Sequence, residues 1–111
     1  MLPASRLSRI ATAFAGVPVT VRTGVSRALC DGHRGLCVAG DNWIEIRLAE
    51  DDDDDRLLAV FIHELAHAVL KHWNKPHTER EAEARQWASR ARDYLPQSVQ
   101  DAISELERLA G

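Results

Sequence analysis

Hydrophobic and polar residues follow two rhythms along this chain, and the places where the rhythm changes mark its elements. Over residues 4–15, Leu7, Ile10, Ala11 and Phe14 recur at helical spacing, and Gly16 suits the left-handed turn after a helix C-terminus. Val17 to Arg22 is β-branched and alternating, which predicts a strand. Gly24, Gly32, Gly35 and Gly40 mark residues 23–42 as turns, with a short hairpin expected around Asp31-Gly32. From Trp43 to Leu48, Ile44, Ile46 and Leu48 share one face while Trp43, Glu45 and Arg47 share the other. That is the pattern of a half-buried strand, the last before a helical half.

The run from Glu50 to Asp55 is acidic throughout. It predicts a solvated loop whose last members cap the next helix and complement its dipole. It lacks the glycine and the distal glutamate of a calcium loop. From Arg56 to about Trp73 the helical pattern is apolar almost all round. Leu58, Ile62, Leu65 and Val69 form one stripe, and Val60, His63, His67 and Leu70 lie on another side. A helix of this kind is central and buried. Asn74 to His77, with Pro76, breaks it. A second helix then runs from Thr78 to about Tyr94, with Ala84, Trp87, Ala88, Ala91 and Leu95 on its apolar face. Beyond Pro96, Val99, Ile103, Leu106 and Leu109 mark a last amphipathic helix. The expected fold is α+β: a small antiparallel or mixed sheet packed on three to four helices, in a single domain over residues 1–111.

Composition narrows the classes. With 45% hydrophobic and 28% charged residues the chain is a folded globular protein rather than a disordered one. Its net charge of -3 is uneven: residues 1–40 hold five arginines against one aspartate, and residues 41–111 hold nine bases against sixteen acids. No Lys/Arg-dense run or interleaved aromatic stripe accompanies the basic part, so nucleic acid is not the expected partner. No apolar run is long enough for a membrane span, and Arg6 and Arg9 interrupt any secretory core, so the expected location is the cytoplasm. Cys30 and Cys37 are too few for a disulfide framework, and with His33 they lack a fourth ligand for a metal site of their own.

The chemistry lies in the buried helix. Residues four apart stand one turn above each other, so His63 and His67 can present two imidazole nitrogens to one ion. Glu64 projects about 100° round the helix, beside the ion rather than on it, where it can take a proton from water. Polar groups in the middle of so apolar a helix need a reason, and two His and one Glu at this spacing supply a hydrolytic zinc site. The third ligand is expected after the break, among Glu79, Glu81, Glu83, His72 and His77. On a helical wheel Glu81 lies nearest the apolar face, with Glu83 as the main rival. Thr78-Glu79-Arg80-Glu81 also has capping-box spacing, which offers Glu81 another occupation.

The run His63-Glu64-Leu65-Ala66-His67-Ala68-Val69-Leu70-Lys71-His72, followed by Glu81-Ala82-Glu83-Ala84 and Trp87-Ala88, resembles the ImmA/IrrE-type metallopeptidases. These pair an HELGH-like helix with one reading ExEANxFA and an LLMP-like end. The resemblance covers about residues 43–96, with Ala66 where the family has Gly, Arg85 where it has Asn, and Asp93-Tyr94-Leu95-Pro96 as a loose match to the end. It implies a zincin-like fold with the metal between the two central helices, and it makes the first Glu of the second motif, here Glu81, the third ligand. HtpX-like metallopeptidases share the pattern but carry membrane helices. The first family implies cleavage of a repressor-type regulatory protein.

The expected activity is zinc-dependent peptide hydrolysis: Zn2+ on His63, His67 and Glu81, and Glu64 as the base. His77, His72 and Tyr94 are candidate oxyanion stabilisers. The strand Trp43–Leu48 is expected at a sheet edge, receiving an extended substrate by strand addition. Two other readings remain: a non-catalytic, metal-containing regulator that grips a protein partner, and a nucleic-acid binder using the basic N-terminal part.

Overall fold

The computed structural model describes residues 2–50, 53–71 and 75–111. The chain runs through helix α1 (Ala4–Ala15), strand β1 (Val19–Val25), a short 3-10 turn (Arg27–Cys30), strands β2 (Gly35–Ala39) and β3 (Ile44–Ala49), and helices α2 (Asp54–Leu70), α3 (His77–Asp93) and α4 (Val99–Ala110). The class is α+β, as expected. No described helix is long and apolar enough to cross a membrane.

The three strands form a mixed sheet in the order β1-β3-β2, with β3 parallel to β1 and antiparallel to β2. This corrects the expectation that Trp43–Leu48 forms an edge: β3 is the middle strand. Its alternation reads as half-buried because one sheet face is packed and the other open, which a central strand allows as readily as an edge. The hairpin also differs. It joins β2 to β3 through Gly40–Trp43, closed by the Gly40 N–H donating to the Trp43 carbonyl at 2.9 Å. Asp31 and Gly32 instead end the 3-10 turn, with φ of 53° and 80°. On the open face Glu45 pairs with Arg22 and, at 2.9 Å, with Arg47, whose Nη1 also donates to the Leu29 carbonyl.

Side-chain hydroxyls fix α1 against β1. The Val19 N–H donates to Thr12 Oγ1 at 2.9 Å, and the Val21 N–H donates to Ser8 Oγ at 2.8 Å. These amides point away from β3, so α1 closes the outer edge of β1 at Val19 and Val21. At the other side of the sheet the antiparallel alternation turns the N–H and C=O of Gly35, Cys37 and Ala39 away from β3. No other backbone hydrogen bond among the described residues reaches them, and the edge of β2 stays open.

The packed face carries Val19, Val21, Ile44, Ile46 and Leu48 against Leu7, Ile10 and Ala11 of α1 and Phe61, Ile62 and Leu65 of α2. Ala102, Ile103 and Leu106 of α4 close the core, and Arg6 of α1 holds Glu107 of α4 with two hydrogen bonds, one of 3.0 Å from its Nε. α2 begins two residues earlier than its apolar pattern does, because Asp53 is its N-cap and accepts from the Arg56 N–H at 2.9 Å. It ends at Leu70, with Lys71 in the left-handed region. The expected extension to Trp73, and with it His72, lies outside the described residues. α3 starts at His77 with Pro76 before it, so Thr78 is not the cap and the capping box with Glu81 does not form.

Candidate metal centre

His63, Glu64 and His67 stand on adjoining faces of α2 near its C-terminal half, and α3 lies against this stretch. The two imidazoles meet edge to face, ring centroids 4.9 Å apart at 88°. Glu81, in the second turn of α3, reaches both: Oε2 lies 3.1 Å from His63 Nε2 and Oε1 lies 3.1 Å from His67 Nε2. Among the described residues these three alone form a group whose ligand atoms all fall within 4.8 Å of one another. Bonds of about 2.0–2.2 Å to a tetrahedral zinc place ligand atoms roughly 3.3–3.6 Å apart. The two His–Glu contacts of 3.1 Å lie near that spacing, the whole set falls within 4.8 Å, and its His₂Glu chemistry is that of a site with one position left for water.

Electrostatics follow from this geometry. Burial by itself raises the Glu81 carboxyl, but His67, His63 and the hydrogen bond from His63 outweigh it and hold Glu81 below its ordinary value. Glu64 is the one charged side chain buried in the described core, 8% exposed. Burial first, and the neighbouring charge of Glu81 second, push it up to about 7. It projects from α2 toward β2, where its Cγ comes close to Gly35. Cys37 on the same strand is pushed up to about 12 by burial and by Glu64, so it is a neutral thiol at pH 7. Both cysteines are free, and Cys30, His33 and Cys37 do not gather into a second site.

A cleft of about 700 Å³ opens over these residues, bounded by β2, α2 and α3. The remaining candidates divide cleanly. Glu83 turns away and pairs with Lys75 at 2.8 Å, and Glu79 is exposed. His77 lines the cleft and helps hold Glu81 ionised. Tyr94 is 83% exposed and lies off the cleft, so it drops out as an oxyanion stabiliser.

Two features escaped the sequence reading. The first is Gly35, whose added Cβ would meet Val60 Cγ1 at 2.4 Å and Glu64 Cγ at 3.2 Å. The glycine lets α2 press against the packed face of β2, which brings Glu64 up to Gly35 on this edge strand. Gly35→Ala is expected to cost about 1–3 kcal/mol by overpacking, read as a lowered urea midpoint with unchanged slope. The second is a set of arginines around the cleft: Arg34, Arg56, Arg80 and Arg85. Their only signal in the sequence was Arg85, at helical spacing four residues after Glu81. Comparison of the chain with protein-family models, curated proteins and solved structures finds no match.

Proposed function

We propose that this chain is a zinc-dependent peptidase with a zincin-like site, acting on a protein or peptide substrate in the cytoplasm. One observation carries the reading: two imidazoles one helical turn apart are each met by an oxygen of Glu81 in an open cleft, with a buried carboxyl beside them. The resemblance to ImmA/IrrE-type metallopeptidases adds support, and it suggests a repressor-type regulator as substrate.

His63, His67 and Glu81 would hold the ion. A zinc ion there supplies Lewis acidity, lowering the pKa of water toward about 7 and polarising a carbonyl. Glu64 accepts a proton from the attacking water and passes it to the amine as the C–N bond breaks. Its position, buried and poised near neutrality, suits a group that must both take and give a proton. His77, at the cleft wall, is the described candidate for steadying the oxyanion. An extended substrate pairs with the open edge of β2, where Gly35 and Cys37 offer unpaired backbone groups beside Glu64. The role first expected of β3 thus passes to its neighbour.

The test is metal content after purification under zinc-replete conditions. Wild type and Glu64→Gln are expected to hold about one zinc each, and Glu81→Ala to lose it. A wild type that holds none would sink the peptidase and leave a non-catalytic, partner-binding regulator as the better account. Among the described residues three protein ligands converge, where a purely structural zinc takes four.

A further inference from the structure

The chain is acidic overall, and residues 41–111 carry the excess. Its cleft is the opposite. Four arginines line it against two glutamates, one of which faces the histidines while the other is buried. Outside the cleft, Arg6 is matched with Glu107, Arg22 and Arg47 with Glu45, and Arg108 with Glu105, whereas the exposed Arg9, Arg90 and Arg92 stand in solvent. Among the described residues Arg56, Arg80 and Arg85 have no such side-chain partner. The Nε of Arg80 is also buried without an acceptor, and is the only described buried side-chain polar atom in that condition. A buried donor without an acceptor is costly, and a carboxylate bound in the cleft would relieve that cost.

We propose that this cleft selects acidic peptides, and that Arg80 is the residue that reads a carboxylate next to the scissile bond. The proposal deepens the peptidase reading and rests on it for the word substrate, but its charge preference does not require zinc. Arg80 immediately precedes Glu81, so a carboxylate held there lies beside the proposed ion. Arg85 sits one helical turn beyond Glu81, and Arg56 about two turns before His63, so positive charge extends along the cleft on both helices. A guanidinium matches a carboxylate with two parallel hydrogen bonds, a geometry lysine cannot supply. Peptide is favoured over single-stranded nucleic acid because the cleft has an open strand edge and, among its described lining residues, no Phe, Tyr or Trp on which bases stack.

The test uses zinc-free full-length protein and two fluorescein-labelled octapeptides, one with two glutamates in an Ala/Ser frame and one with glutamines at the same positions. Binding is followed by anisotropy at low ionic strength. The acidic peptide is expected to bind about tenfold more tightly to wild type, and to lose that advantage as salt is raised. Arg80→Gln removes most of the preference, Arg80→Lys restores part of it, and Arg90→Gln, the same charge change on α3 outside the cleft, leaves it intact. Equal binding of the two peptides to wild type overturns the proposal, as does full preference in Arg80→Gln. So does tighter binding of a labelled oligothymidine than of either peptide. Acidic preference in a protein that binds no zinc would overturn the peptidase reading while leaving the cleft's selectivity standing, so the two failures are separable.

Discussion

Glu64→Gln is expected to slow peptide hydrolysis by about 10²–10⁴-fold while the protein keeps its metal. The substitution is nearly isosteric, so the fit of α2 against Gly35 and β2 is preserved. His63 and His67 are untouched, and Glu81 reaches them from α3. What disappears is the group proposed to take the proton from water and give one to the amine. Loss of activity with zinc retained assigns the defect to proton transfer. Full activity in Glu64→Gln would refute the mechanism outright. The assay follows a labelled peptide mixture by mass spectrometry, with zinc measured on the same preparations.

The same variant is expected to be more stable than wild type in the zinc-free state, in a pH-dependent way. In the folded chain burial raises Glu64 from its ordinary value of 4.5 to about 7. Between those values the folded state binds more protons than the unfolded state, so stability falls as pH rises. Below pH 4.5 the carboxyl is neutral in both states and imposes no such penalty. Above pH 7 the full penalty is present, on the order of 3 kcal/mol. Gln carries no charge to bury. Glu64→Gln should therefore gain roughly ten degrees in Tm over wild type at pH 8 and almost nothing at pH 4. A gain of equal size at both pH values would show that charge burial is not its origin.

How much of this was legible in the sequence depended on the range of the interactions. The spacing of His63, Glu64 and His67 is local, and a helix converts it directly into a shared face. Glu81 was legible for a similar reason. The face of α3 is set by Ala84 and Ala88, which are buried as the pattern implied, and starting the helix at His77 instead of Thr78 does not rotate it. The strand order was not legible. Whether β3 lies at an edge depends on Gly35–Ala39 pairing with it, and that short segment between glycines carries little pattern of its own. Gly35 and the arginines were hidden for the same reason: their roles arise where α2 meets β2 and α3, between residues distant in sequence.

The hydroxyls of Ser8 and Thr12 have a consequence for how copies of this molecule can associate. Edge-to-edge growth of sheets into fibres requires each molecule to offer two free edges, one to receive a neighbour and one to pass the pattern on. With Val19 and Val21 on the far side of β1 held by α1, β2 is the described edge that each copy can give along its whole length. Two copies joined along β2 would exhaust each other's pairing groups, and association by that route ends at a pair.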